Sequence, residues 1–267
     1  MVDDVLAFIS AAAGWLYQER DRFPAPPEVI PAGSVAEAAA AVERCERSGG
    51  PISAAIVDLG LGPGVPSGLG VVDLLERAGI PAAVHTEYNE GTSRLMFVYA
   101  AFSWYKPVAL LPKSRFTVSM GLEHAARAFA GDVVSIYDRQ AISPDLASYF
   151  RPRPGREWPF ERVLSSREDL RRWRAFVTYS QTAGVASSLG QRPKAIEKWL
   201  ATKYEAVWEL LRHASKHMDI TYRGIADPDP WHDSGKKQDR QGALHQFARS
   251  QSWFFNDPVV CSRFSVL

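Results

Sequence analysis

The first 130 residues alternate short apolar runs with segments whose apolar side chains repeat at helical spacing. This alternation is typical of βαβ units, in which helices cover a parallel sheet. Residues 54–59 are apolar at almost every position, as expected of a strand buried on both faces. Further strands are predicted at residues 28–30, 80–84 and 108–111. With the start of the chain as a short first strand, the pattern predicts a five-stranded parallel sheet.

Helical segments separate these strands and dominate the second half of the chain. Ser34 is placed to cap a helix whose apolar face ends at Cys45, and further helices are predicted at residues 5–16, 69–78 and 116–129. Prolines between Pro144 and Pro159 interrupt any long helix there, so residues 131–163 are interpreted as a linker that ends a domain of residues 1–130. We expect an all-α domain over residues 164–218 and an extension of unassigned role over residues 219–267.

The charges are divided unequally between the two halves. The net charge is only +1, which taken alone argues against a protein that binds nucleic acid. Residues 1–150, however, have a net charge of −6 and residues 151–267 a net charge of +7. The excess in the second half falls on residues 151–216. A nucleic-acid contact is therefore expected there.

Composition also bounds the class of protein. Cys45 and Cys261 are far apart in sequence, which gives no support for a disulfide framework and favours a reducing compartment. The chain has no apolar run long enough to cross a membrane, and it begins with MVDDV, which is acidic where a secretory signal is basic. We therefore expect a cytoplasmic protein with no membrane partner.

Three polar side chains come directly after or at the end of predicted strands. Asp58, Thr86 and Lys113 each stand at the carboxyl end of one, so they are expected to meet at one edge of the sheet. Asp3 and Asp4 would add two carboxylates if a strand precedes them. Paired carboxylates can hold Mg²⁺, which would offset charge while Asp58 attacks a phosphoryl donor. Alternatively, Asp58 caps a turn and the acidic pair begins a helix.

The segments IVDLGLG, AVHTEY and ALLPKS resemble the receiver domain of bacterial two-component response regulators. The resemblance implies a flavodoxin-like fold and a sensor histidine kinase as partner. It implies Asp58 as the phosphoacceptor, Thr86 and Lys113 as switch residues, and a Mg²⁺ site made by Asp3, Asp4 and Asp58.

This sequence departs from the receiver pattern at several places. Only two residues precede Asp3, Glu87 follows Thr86, and Leu110 replaces an aromatic residue. These departures favour an atypical receiver, which leaves open a phosphorylation-independent regulator that senses a small molecule or a partner protein. The glycine-rich loop does not fit a dinucleotide fingerprint, because Val65 stands where its third glycine would be. With no nucleophile motif either, we predict that the chain is not an enzyme.

The segment QTAGVASSLGQRPKAIEKWL predicts a helix-turn-helix. Val185 and Leu189 give the first helix an apolar face, Gly190 supplies the turn, and Pro193 opens the second helix, where a missing N–H is harmless. Ile196 would face the first helix. The alternative to a DNA-binding motif is an ordinary helical bundle with a basic face exposed to solvent.

Residues 164–168 (LSSRE) and the stretch VASSLGQRPKAIEKWL resemble the LuxR/NarL-type DNA-binding domain. The resemblance implies an all-α domain that binds double-stranded DNA, with a homodimer expected. The predicted DNA contacts are Gln181, Thr182, Arg192, Lys194, Ala195, Glu197, Lys198, Thr202 and Lys203.

The last fifty residues match no motif. His213 and His217, just before them, have the i, i+4 spacing of two metal ligands, but a polar helix end is the favoured interpretation because an HExxH glutamate is absent. The aromatic run at Trp253 is expected to pack against the DNA-binding domain or a second subunit. Together the motifs predict a DNA-binding transcriptional regulator of two-component type, whose receiver-like domain controls dimerisation or DNA binding.

Overall fold

The computed structural model describes residues 1–3, 6–22, 28–62, 67–87, 94–113, 122, 125, 149–155, 157–218 and 237–265. The chain divides into two compact units. Unit 1 comprises Met1–Tyr88 and Ala100–Arg151, and unit 2 comprises Asn89–Tyr99 and Pro152–Leu267. Residues 237–265, which the sequence pattern leaves as an extension, thus belong to unit 2.

Unit 1 contains a parallel sheet of three strands among the described residues. The strands are β1 (Ala55–Val57), β2 (Ala82–Thr86) and β3 (Ala109–Pro112), in the order β1-β2-β3. All five residues of β2 are buried, as expected of the central strand of a covered parallel sheet.

The predicted five-stranded flavodoxin-like sheet is wrong, because the described residues form only three strands. Val2 makes single parallel bridges to Ala32 and Val57, and neither bridge continues into a ladder. Residues 28–30 form no strand. Pro31 follows them and has no N–H to donate to a ladder.

Unit 1 contains several described helices, two of which begin at a capping serine. They are α1 (Leu6–Gln18), followed by a 3₁₀ turn at Arg20–Arg22, then α2 (Val35–Ser48) and α3 (Gly68–Arg77). The Ser34 hydroxyl accepts a hydrogen bond from the Glu37 N–H, which confirms the predicted N-cap, and Gly49 ends α2 at a φ of 74°. Of the predicted helix at residues 116–129, only Leu122 and Ala125 are described, and both are helical and buried.

Helix α4 (Leu95–Trp104) contributes residues 95–99 to unit 2 and residues 100–104 to unit 1. It is strongly apolar, and its first eight residues are buried. Periodicity does not identify its sequence, LMFVYAAFSW, as a helix, since a helix that is apolar all round shows no polar face.

The remaining described helices belong to unit 2. They are α5 (Pro159–Val163), α6 (Arg167–Thr178), α7 (Thr182–Leu189), α8 (Pro193–Met218), α9 (Lys237–Ser250), α10 (Ser252–Asn256) and α11 (Pro258–Arg263). The predicted pair of helices is present: α7 ends at Gly190, whose φ of 63° is left-handed, and Pro193 opens α8. At 26 residues, α8 is about 39 Å long.

Aromatic side chains form the core of unit 2. The Trp173 ring stacks on Phe255, with centroids 5.3 Å apart, and meets Trp199 edge to face at 4.9 Å. Phe247 packs edge to face on Trp173 at 5.7 Å. The aromatic run of the last fifty residues therefore packs against α6, as expected. Within the described part of the chain, no helix has both the length and the apolar character needed to cross a bilayer.

Candidate functional site

The carboxyl ends of the three strands bring together the side chains that the sequence singled out in unit 1. Asp58 follows β1, Thr86 ends β2 and Lys113 follows β3. The Lys113 Nζ lies 2.8 Å from Asp58 Oδ2 and 2.7 Å from Asp3 Oδ2. The Thr86 hydroxyl donates to Asp58 Oδ1 at 2.7 Å. We call Asp3, Asp58, Thr86 and Lys113 the strand-end cluster.

Asp3, Asp58 and Thr86 are buried, Lys113 is half-buried, and the hydrogen bonds of the cluster are well satisfied. Asp58 Oδ1 also accepts the Gly60 N–H at 3.0 Å, so this carboxylate receives three hydrogen bonds while its side chain is 1% exposed. The Lys113 N–H donates to the Thr86 carbonyl at 3.1 Å, which fixes the lysine beside β2. The charge-assisted contacts of Lys113 with Asp3 and Asp58 are therefore short and shielded from most of the solvent.

Gly68 holds the loop after Asp58 against the start of α3. Its N–H donates to the Leu59 carbonyl at 3.0 Å, and a Cβ on Gly68 would lie 1.9 Å from the Asp58 carbonyl oxygen. No other residue type fits this approach without movement of the backbone. The Ser67 hydroxyl caps α3 from the same turn. The position of Asp58 thus depends on a glycine ten residues further along the chain.

His85 is a buried ionisable residue next to the cluster that sequence reasoning missed. Burial lowers the pKa of His85 to about 4, and the positive charge of Lys113 contributes to this lowering, while Asp58 acts in the opposite direction. The imidazole is therefore neutral at physiological pH. An ionisable residue between Val84 and Thr86 in an otherwise apolar strand was the signal that could have found it.

The predicted Mg²⁺ site is only partly described. Asp3 and Asp58 are close together, but the Lys113 ammonium contacts both. Asp4 lies outside the described residues. Among those that are described, no group of three His, Cys, Asp or Glu residues has the arrangement of a metal site. The donor set as described fits the lysine ammonium better than a divalent cation, and Mg²⁺ remains a prediction.

Most of the predicted DNA contacts lie at the surface of unit 2. Six are exposed: Gln181, Arg192, Lys194, Ala195, Lys198 and Thr202. Thr182 and Glu197 are half-buried. Lys203 is 7% exposed, and its Nζ donates to Asp169 Oδ2 at 2.7 Å and to the Arg162 carbonyl at 2.6 Å. The charge of Lys203 is therefore used inside the fold, unlike the charges of the exposed predicted contacts.

Asp169 is the centre of this buried network, which sequence reasoning did not find. Its carboxylate accepts hydrogen bonds from Trp199 Nε1 at 2.8 Å and from the Ser165 hydroxyl at 2.7 Å, in addition to Lys203. Burial by itself would raise the pKa of Asp169, but the hydrogen bonds and the charge of Lys203 outweigh burial and lower it. The spacing of Ser166 and Asp169, which form a helix cap, was the available signal.

His213, the first histidine of the pair in α8, contacts aromatic side chains of unit 2. His213 Nδ1 lies 2.6 Å from the Tyr99 hydroxyl, and the His213 ring meets Trp158 edge to face. His213 therefore packs within the helical core of unit 2.

The comparisons with known proteins give no match: none of the family models, curated proteins or solved structures is similar to the chain at a significant level. The likeness to receiver and LuxR/NarL-type domains thus rests on the sequence motifs alone.

Proposed function

We propose that this chain is a DNA-binding transcriptional regulator in which Asp58 accepts a phosphoryl group as the input and unit 2 binds double-stranded DNA as the output. The observation that carries the proposal is the meeting of Asp58, Thr86 and Lys113 at the carboxyl ends of three parallel strands. This edge is where open α/β sheets bind ligands. A carboxylate, an ammonium and a hydroxyl there supply what phosphoryl transfer to an aspartate needs.

Each side chain has a definite part in that transfer. One Asp58 oxygen attacks the phosphorus of an acyl phosphate, the phosphorus–oxygen bond to the donor breaks, and the donor leaves as a carboxylate with the bonding electrons. The Lys113 ammonium, 2.8 Å from Asp58, stabilises the negative charge of the transferred group. The Thr86 hydroxyl, now bonded to Asp58 Oδ1, can donate instead to a phosphoryl oxygen. This exchange is the proposed signal.

The proposal that unit 2 binds DNA is supported by its positive charge and by the exposure of several of its cations. Residues 151–216 have a net charge of +7, and Arg192, Lys194 and Lys198 are exposed around the start of α8. Lys and Arg side chains that contact phosphates release condensed counterions, which favours binding at low salt. The buried Asp169–Lys203 pair fixes the inner side of α8 and leaves these three cations outside.

Intact mass spectrometry tests whether Asp58 accepts a phosphoryl group. The chain is incubated with a small acyl phosphate, with and without Mg²⁺, and we expect the added mass of one phosphoryl group. Asp58→Asn should abolish the addition, whereas Asp73→Asn, which changes an aspartate paired with Arg77 at the surface of α3, should not. Addition that survives Asp58→Asn, or no addition in either condition, contradicts the phosphoacceptor role. A difference between the two conditions tests the Mg²⁺ prediction.

A second candidate is favoured by the saturation of Asp58. Its carboxylate already accepts three hydrogen bonds, and Lys113 supplies a cation from within the chain. Such a cluster fits a phosphorylation-independent regulator that senses a small molecule or a partner protein. In that case Asp58→Asn leaves the response of DNA binding to its signal intact, and no phosphoryl group is added. The mass measurement therefore distinguishes the two candidates.

A further inference from the structure

The exposed side of α8 offers positive charge and few groups that can distinguish bases. Lys203 and Trp199 both contact Asp169, so positions 199 and 203 face inward, together with the buried Ile196 and Leu200. The exposed positions from 194 to 205 are consequently Lys194, Ala195, Lys198, Ala201, Thr202 and Glu205. All residues of this stretch belong to the described part of the chain.

None of these six exposed residues is an Asn or Gln, the side chains that make two-point hydrogen bonds to adenine, and none is an Arg, so only the ammonium groups of Lys194 and Lys198 could reach the guanine acceptors. Ala195 and Ala201 have no polar side-chain atom. The Thr202 hydroxyl donates to the Trp199 carbonyl at 2.7 Å, so its proton is used within the helix. Glu205 is acidic and would be repelled by phosphates. The positive groups on this side are Lys194 and Lys198, with Arg192 just before the helix.

Lysine acts on DNA chiefly as a point charge, since its ammonium has no planar pair of donors. Elsewhere in unit 2, Arg162, Arg171 and Arg172 are each paired with a glutamate. The cations that flank the first turns of α8, in contrast, are exposed, so they can meet a phosphate backbone.

From this arrangement we infer that α8 holds double-stranded DNA through its phosphodiester backbone, with Arg192, Lys194 and Lys198 as phosphate anchors, and does not read base edges. The inference rests on the proposed function and deepens it. Any preference among sequences then comes from the shape and deformability of the duplex, which affect how closely its phosphates approach these three side chains.

The test measures DNA binding against salt and against sequence, with fluorescently labelled duplexes. Each phosphate contact contributes about −0.9 to the slope of log affinity against log salt. Lys194→Ala/Lys198→Ala should therefore make the slope shallower by about 1.8, so that the loss of affinity between about 50 and 200 mM salt becomes about 12-fold smaller. Lys106→Ala, which removes an exposed lysine from unit 1, should leave the slope unchanged.

A pool of duplexes with randomised sequence is then selected with the unaltered chain and with the double variant. We expect both proteins to rank the sequences in the same order, with the variant weaker on all of them. An altered ranking would mean that Lys194 or Lys198 reads bases, and an unchanged salt slope would mean that neither contacts phosphate; each result overturns the inference. If the unaltered chain binds no duplex with or without the acyl phosphate, the proposed DNA-binding function fails first. Circular dichroism checks that the variants are folded.

Discussion

Replacement of Lys113 by methionine is expected to destabilise unit 1 by about 3–5 kcal/mol, because it removes one partner from a buried ion pair. Lys113 is the cation within 2.8 Å of both Asp3 and Asp58, and the side chains of these aspartates are each 1% exposed. The methionine keeps most of the volume of the lysine, so little of the loss comes from a cavity. The loss of stability arises because the carboxylates of Asp3 and Asp58 stay buried but no longer contact the Lys113 ammonium.

Hydrogen exchange followed by mass spectrometry can read this loss from unit 1 alone, since all described strands lie there. At 1.36 kcal/mol for each factor of ten, protection of the strand amides should fall by about two to nearly four powers of ten. Lys106→Met, at an exposed lysine of the same unit, should change stability by less than about 0.5 kcal/mol.

A second substitution separates charge from packing. Asp3→Asn in the Lys113→Met background removes one of the two uncompensated carboxylates and should restore at least about 1 kcal/mol. The reasoning is refuted if Lys113→Met costs less than about 1 kcal/mol, or if Asp3→Asn makes the Lys113→Met protein still less stable.

Three more predictions concern other buried groups. Burial is the main reason that the pKa of His85 is lowered to about 4, so the folded state takes up a proton here less readily than the unfolded state. The free energy of unfolding of unit 1 should therefore be unaffected by His85 above pH 6.5 and decrease by about 3 kcal/mol as the pH falls to about 4. His85→Gln should flatten that pH dependence in denaturation experiments. Asp169→Asn leaves Lys203 buried without its carboxylate and should cost unit 2 about 3 kcal/mol in denaturant unfolding followed by tryptophan fluorescence. The pKa of Asp169 is lowered despite its burial, so the stability that its ionised form contributes should decrease as the pH falls below about 3.8, and the variant should show no such decrease. Gly68→Ala forces a Cβ to within 1.9 Å of a backbone oxygen and should lower stability by more than about 2 kcal/mol, whereas Gly14→Ala, in open space on α1, should raise it by about 0.5–1 kcal/mol; a similar melting temperature for both variants would contradict the geometry.

The parts of unit 1 that depend on local rules were predictable. A strand at residues 54–59, another at 80–84 and a third at 108–111 lie within about two residues of β1, β2 and β3. Their carboxyl ends must share an edge in a parallel sheet, so the meeting of Asp58 and Lys113 was predictable from strand order alone. Residues 28–30 show where such local rules fail. Whether a segment becomes a strand also depends on whether a neighbouring strand is available to form hydrogen bonds with it, and a short window of sequence does not reveal this.

Tertiary contacts decided the rest. Helical periodicity placed Lys203 on the same exposed side as Lys198, but the buried carboxylate of Asp169, 34 positions earlier, draws it inward. Packing of the aromatic run at Trp253 was expected, but the particular partner of Phe255, which stacks on Trp173, was not. Neither contact has a signal within a short window of sequence.

The central claim is that a phosphoryl group on Asp58 controls DNA binding by unit 2. Fluorescence anisotropy of a labelled duplex, measured before and after treatment with an acyl phosphate, tests it most directly. The claim predicts a change in Kd of at least about fivefold, equivalent to about 1 kcal/mol of coupling, in the unaltered chain and none in Asp58→Asn. An equal change in both proteins, or no change in a chain whose mass shows the added phosphoryl group, would contradict it.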